Sequence, residues 1–474
     1  MTPSRTALLL IASLTYTACD SPSSADDDAP HDGIDDPGVA QGGKADTNGY
    51  EDRGYESTCI LRVANGSDLA TLDDDAGLWG ASAEAIIAAK RGPDGEPSTA
   101  DDVQFATLTE LDAVDWVGFL SFRAMLEYGQ AEGLCPGLGE EYPPPGEDEA
   151  TDRIIARIGD RMQREFTAGA RPSTRGLHAK GRCVQGTFTV DNAALPASLR
   201  VGVFASNSTY PAWVRFSNGN PHVQADGEGD VRGMAIKLMD VPGTKLLEDE
   251  KDADTHDFLL NHTPTIPTAD ALDFAAIVDR SEDDENPVLA FLSWNPFDIE
   301  LTKIRLLIAS VTTPIINPLS TTYWSQSPYR LGGETVAVKY RARPCPGAAL
   351  GPELDDADPE YFTASMQQQL AAGTACFEFA IQRQRDPATM PIEDNSVEWR
   401  EAESAFVPVA TLEIAAQDFA SDANREACEH LSFTPWHALP EHRPLGSLNR
   451  ARRRAYEAIS KRRHELNGVP RQEP

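Results

Sequence analysis

Between Gly181 and Ile381 the chain is divided into short strand-like runs separated by turns. They are Thr187-Phe-Thr-Val, Leu199-Arg-Val-Gly-Val-Phe, Trp213-Val-Arg-Phe, Met234-Ala-Ile-Lys-Leu, Val336-Ala-Val-Lys-Tyr and Cys376-Phe-Glu-Phe-Ala-Ile. Helical patterns stand among and after them, at Asp270 to Val278, Ala364 to Ala371 and Leu448 to Leu466. Ile154, Ile155, Ile158, Met162 and Phe166 recur at helical spacing and mark an amphipathic helix leading in. This mixture predicts an α+β domain over 150–470, built on a large antiparallel sheet or barrel. With 474 residues, 41% of them hydrophobic, the chain holds that core and has length for another domain.

The residues before 150 carry a different texture. Arg5, the apolar run Ala7 to Leu14 and the small residues up to Cys19 read as an export signal over 1–19. Thr17-Ala18-Cys19 resembles a bacterial lipobox, in which the cysteine becomes a lipidated first residue. Tyr16 departs from that pattern, so ordinary cleavage nearby stays open. Residues 20–50 are Asp, Ser, Pro and Gly with almost no large apolar side chain, and read as a disordered acidic tether. Residues 51–137 form a small unit with helical runs at Ala81 to Lys90 and Phe122 to Tyr128 around glycine turns. It resembles a helix-hairpin-helix repeat, a fold that often binds DNA. A net charge of −34 argues against nucleic acid, because that binding neutralises phosphates with Lys and Arg, and a docking module or a spacer is expected instead. Asp94, Glu96, Asp101 and Asp102 do not have EF-hand spacing and read as a solvated turn. Residues 138–149, with Pro143-Pro144-Pro145-Gly146, form a stiff linker. Besides Cys19 there are six cysteines, an even number that permits disulfides in an exported chain. Only Cys59 with Cys135, flanking the small unit, suggests a pair.

Four separated elements carry the chemistry. Near the carboxyl end stands Arg452-Arg-Arg-Ala-Tyr456; upstream stand Arg175-Gly-Leu-His178-Ala-Lys-Gly, Trp-Val-Arg215-Phe-Ser217 and Leu-Leu-Asn261-His-Thr-Pro. A histidine within reach of a serine hydroxyl can be held in one tautomer and pass a proton, and an amide nearby can orient a small polar substrate. A tyrosine is a poor ligand while neutral, but ferric iron and an adjacent guanidinium both favour its phenolate. Arg452 lies one helical turn before Tyr456 and faces the same way.

In this order, the elements resemble the catalase family over roughly 150–470, and in particular its short, catalase-related haem members. The resemblance implies a closed antiparallel β-barrel with haem b between its wall and the helix bearing Tyr456, the axial iron ligand. It also implies that His178 is the distal base, Ser217 its hydrogen-bond partner and Asn261 the amide that orients peroxide. Arg175, Arg215 and Arg463 match the family's propionate arginines, and Phe274 its distal aromatic. Asp230-Val-Arg232-Gly-Met-Ala-Ile-Lys237 is similar to a structural strand of the family. Full-length catalases continue past the tyrosine into a segment that helps bind NADPH, which is not expected here, and interlocked tetramers give way to a monomer or dimer. Leu177 stands where the allene oxide synthase branch has threonine and favours peroxide dismutation; the shortened core favours peroxidase or organic hydroperoxide chemistry. The expectation is an exported haem catalase or peroxidase acting on hydrogen peroxide, tethered to the cell envelope through Cys19. The alternatives are an organic or lipid hydroperoxide peroxidase or isomerase, and a binding protein on a catalase scaffold.

Overall fold

The computed structural model describes residues 49–97, 99–167, 175–283, 286–292, 300–347 and 358–470. The leader, Cys19 and nearly all of the tether lie outside them. None of the described helices is long and apolar enough to cross a membrane.

Four helices open the described chain: α1 (Tyr55–Gly66), α2 (Gly80–Lys90), α3 (Leu108–Asp112) and α4 (Phe119–Ala131). With the π-helical turn Thr71–Asp75 between the first two, they bury Ile60, Val63, Leu72, Ile86, Leu108, Phe122 and Met125 in a cluster of their own. Cys59 of α1 is bonded to Cys135 just past α4. Gly129 permits that closeness, since a Cβ there would stand 2.6 Å from the Cys59 sulfur. The acidic turn is closed by its own groups: Asp101 accepts from the Asp94 N–H at 3.1 Å and from the Thr99 hydroxyl at 2.7 Å.

The proline-rich segment that follows is tied down along its length. Gly139 donates to Gln384 at 2.8 Å, and Tyr142 N–H to Glu393 at 3.0 Å. Glu141 accepts from Arg443 and from the Gly446 N–H, 2.5 and 2.9 Å away. Helix α5 (Glu147–Glu165) then starts after Gly146, whose φ of 82° suits glycine.

Nine antiparallel strands follow: β1 (Gly181–Val190), β2 (Thr209–Asn218), β3 (Arg232–Leu238), β4 (His256–Asn261), β5 (Tyr323–Trp324), β6 (Tyr329–Leu331), β7 (Gly333–Pro344), β8 (Ala375–Arg383) and β9 (Val407–Ile414). Their order is β5-β4-β3-β2-β1-β9-β8-β7-β6, and a further β5–β7 pairing closes the sheet into a barrel. Eight strands form the ring, because β5 and β6 share one edge of β7. Its interior is aromatic: Phe188, Phe204, Phe258, Tyr340 and Phe379 are buried in one cluster, with Phe258 and Phe379 centroids 4.9 Å apart. Each such side chain contributes roughly 1.5–3 kcal/mol by burial.

Helix α6 (Ala271–Glu282) is capped by Asp270, which accepts from the N–H groups of Leu272 and Asp273. Helices α7 (Leu301–Thr312), α8 (Tyr361–Ala372) and α9 (Asp422–His430) lead to α10 (Ser447–Asn467). Ala150, Ile154 and Ile158 of α5 pack with Ala271, Ala275 and Val278 of α6 and with Ala451 of α10.

The run 199–204 departs from its sequence reading: it forms two short 3-10 turns, Ala197–Leu199 and Gly202–Phe204, not a strand. Gly202 takes φ 54°, and a Cβ on it would lie 2.4 Å from the His442 ring, so the chain bends there.

Candidate active site

A cavity of about 450 Å³ lies between barrel residues and α10. Arg175, His178, Arg215, Ser217, Asn261, Phe274, Arg452, Tyr456 and Arg463 all line it. Residues drawn from positions 175 to 463 thus meet in one place.

On the barrel side, Arg215 and Ser217 are two apart on β2 and therefore face the same way. Asn261 ends β4, paired in register with Gly233, while Gly233 also pairs with Ser217. His178 sits in the loop before β1, with φ 57° and its N–H bonded to the Gly219 carbonyl at 2.9 Å. Its Nδ1 is 3.0 Å from Ser217 Oγ. Gly233 is the floor beneath this pair: a Cβ would come within 2.9 Å of Ser217 Oγ and 3.0 Å of the imidazole Cε1. Burial, aided by the charges of Arg215, Arg452 and Arg175, pushes the His178 pKa down to about 3. The imidazole is therefore neutral, as an acceptor of protons must be.

On the helical side, Arg452, Tyr456, Ile459 and Arg463 follow each other at helical intervals of four, three and four along α10, which turns them to the cavity together. The start of α10 is pinned by carboxylates: Ser447 N–H donates to Glu393 at 2.7 Å, and Arg450 forks onto Glu147 and Glu393 at 2.7 and 2.8 Å. Arg452 bonds Asn449 Oδ1 at 3.1 Å and Ser327 Oγ at 3.3 Å. The Tyr456 hydroxyl has no hydrogen-bond partner among the described residues. Phe274 reaches the cavity from α6 and packs on the cluster formed with α5 and α10.

Three guanidiniums share one region. Arg175 donates to the carbonyls of Cys428 and Leu431 at 3.0 and 2.7 Å, at the end of α9. Arg463 donates to the Glu429 carbonyl at 2.7 Å and its carboxylate at 3.2 Å, and Arg215 to the His178 carbonyl at 2.7 Å. Burial and mutual repulsion lower the pKa of Arg175 far below the usual arginine value, and burial first brings Arg215 down to about 10. The Glu429 charge opposes the shifts of Arg175 and Arg215, and the Nε atoms of both are buried without a partner among the described residues. An excess of buried cation with unsatisfied N–H groups fits a dianionic ligand. A planar group bearing two carboxylates and a metal able to take a phenolate matches this donor set, as haem would.

The motifs left several contributors unnamed. Gln326, 2.7 Å from the Asn261 amide, and Ser327, on Arg452, stand in a turn without periodic signal. The Cys183–Cys428 bond, which ties α9 to β1, became visible only with the fold. The Cys345–Cys376 bond joins neighbouring strands β7 and β8 at their ends.

No protein-family model matches the chain. Over 100 residues it is 42% identical to a catalase-related peroxidase of Mycolicibacterium paratuberculosis, a match that spans 21% of this chain and 30% of that one. Among solved structures, a fungal catalase aligns with a TM-score of 0.50 at 17% identity, over 62% of this chain and 60% of that chain. The fold is that of the catalases: an α+β architecture on a closed antiparallel barrel. The resemblance to the catalase family read from the sequence thus stands on a sequence match and a structural one.

Proposed function

We propose that this chain is a haem-dependent oxidoreductase that consumes hydrogen peroxide, as a catalase or a peroxidase. The observation that carries the reading is the meeting of His178, Ser217 and Asn261 with Tyr456, Arg452 and the three arginines around one cavity. Tyr456 would hold the iron, Arg452 would favour its phenolate, and Arg175, Arg215 and Arg463 would hold the propionates. Bound there, haem would supply the two-electron reduction of the peroxide O–O bond.

The chain's own work is with protons. Neutral His178 takes the proton from one peroxide oxygen and returns it to the other, which leaves as water. Ser217, 3.0 Å from Nδ1, fixes the ring, and an N–H of Asn261 steadies the oxygen that departs. Two molecules of hydrogen peroxide yield two of water and one of oxygen in a catalase; an external reductant replaces the second peroxide in a peroxidase.

Leu177, Ile266, Pro267, Phe274 and Ile277 make much of the lining apolar, which favours organic hydroperoxides as a second reading. Export to the bacterial cell envelope, anchored at Cys19, belongs to the same proposal. Three disulfides favour an oxidising compartment, and the apolar run Ala7 to Leu14 precedes the cysteine.

The test is the absorption spectrum of the haem-loaded protein before and after hydrogen peroxide. A high-spin ferric, tyrosinate-like spectrum with oxygen evolution is expected for a catalase, and the same spectrum with turnover of a reductant for a peroxidase. A protein that takes up no haem overturns the reading and leaves the scaffold alternative.

A further inference from the structure

We propose that Gln326 is a positioning residue that turns the amide of Asn261 so that it offers N–H, and not C=O, to an oxygen in the cavity. The inference rests on the proposed peroxide chemistry.

An asparagine amide is nearly symmetric in shape, and its two orientations present opposite polarity, so something must select one. The selection starts from a group with no choice. The Thr265 carbonyl can only accept, and it accepts from Gln326 Nε2 at 2.7 Å. The Thr263 hydroxyl spends its proton on the same carbonyl, at 2.9 Å. Its oxygen is thereby left to accept from Gln326 Nε2, again at 2.9 Å. Both hydrogens of Nε2 are used, and Gln326 Oε1 must face the other way. There it receives Asn261 Nδ2 at 2.7 Å. A reversed Asn261 would set oxygen against oxygen at that distance. The second Nδ2 hydrogen has no acceptor among the described residues, and Asn261 lines the cavity.

The backbone points the same way. Four non-glycine residues among those described have φ in the left-handed region, namely Trp116, His178, Asp240 and Gln326. Two of the four, His178 and Gln326, line this cavity. Left-handed backbone at such residues is unfavourable, and it persists where the surroundings fix it, commonly at functional sites. Gln326 has φ 60° and is 2% exposed. It follows Trp324, which pairs with Asn261, so the same turn sets both ends of the contact.

The test uses the haem-loaded full chain with Gln326→Leu, Asn261→Leu and the double substitution. Gln326→Leu is expected to lower kcat about tenfold, the worth of one hydrogen bond, with KM nearly unchanged. Fluoride bound to the ferric protein should weaken by a similar factor, and the stretch of carbon monoxide bound to the ferrous protein should move to higher frequency as the donor is lost. In the Asn261→Leu background, Gln326→Leu should add nothing, because it acts only through that amide. Additive losses, or unchanged fluoride affinity and carbon monoxide stretch, overturn the inference while leaving haem chemistry intact. A wild-type protein without a haem band overturns both. If Gln326→Leu does not fold, Gln326→Met carries the same expectations.

Discussion

The barrel and helical faces of the cavity are built on opposite principles. On the barrel face the histidine and the asparagine are held by the protein: His178 by Ser217, Asn261 by Gln326, and the imidazole from below by a glycine. Around Tyr456 the protein fixes backbone and charge instead. The first turn of α10 is clamped by Glu141, Glu147 and Glu393, yet the phenol is unbonded among the described residues, and across from it Arg175 and Arg215 each bury an Nε without a partner among those residues. On the proposed reading the barrel face is complete as a proton-handling device. The other face makes chemical sense once a dianion and a metal join it. Preorganisation is spent where protons move, and unsatisfied polarity is kept where a ligand binds.

The largest effects should separate these faces. His178→Ala is expected to cut turnover by about 10²- to 10⁴-fold, the usual worth of a general base, with haem content and spectrum retained. Tyr456→Phe should do the reverse in kind, removing the tyrosinate bands and loosening haem. Pyridine haemochrome content beside steady-state rates checks both, and full activity in His178→Ala would break the contrast.

A smaller effect concerns the arginines. Arg175→Leu is expected to weaken haem binding about tenfold to a hundredfold, the range for a charged hydrogen bond, without changing the rate per haem bound. Haem transfer to apomyoglobin measures it. An unchanged transfer rate would remove Arg175 from the ligand set.

The smallest expected effect is a flat line. The His178 pKa of about 3 leaves the ring neutral from pH 8 to 5, so the rate per folded, loaded molecule should not fall there. Stability should fall. Burial lowers the pKa of His262 to about 4 and of His442 to about 3, and sets His256 far below its ordinary value. Their unfolded values lie near 6.5, so the unfolded chain binds protons first as pH drops. The stability they confer is whole above about pH 6.5 and is lost toward pH 4, up to roughly 1.4 kcal/mol per histidine per pH unit. Denaturant midpoints at pH 7 and 5, set beside the rates, check both halves. A rate that falls in step with an ordinary histidine titration would mean that His178 is not shielded.

Much of the site was legible because its chemistry is written in contiguous motifs. Arg175 to His178, Arg215 with Ser217, Asn261 and Arg452 with Tyr456 each declare themselves within a few residues, and all line the cavity. Five of the six strand-like runs fall on strands. The run 199–204 misled because its pattern is apolar while Gly202 bends it, and periodicity does not register a positive φ. Gln326 stayed hidden for another reason. Its partners lie about 60 residues away, and only the β4–β5 pairing brings them together. Cys59 with Cys135 was legible from its place around the small unit, but the other two disulfides were silent, since Cys345 meets Cys376 through strand order alone.

The sulfur chemistry of the molecule has a consequence of its own. All six cysteines beyond Cys19 are already spent in disulfides, so the folded head exposes no thiolate to be carried to sulfenic or sulfinic acid. Of its methionines, Met125, Met162, Met234, Met366 and Met390 are buried, and only Met239 is partly open. A catalyst that draws oxidant toward itself, turnover after turnover, would thus offer it little sulfur to corrode.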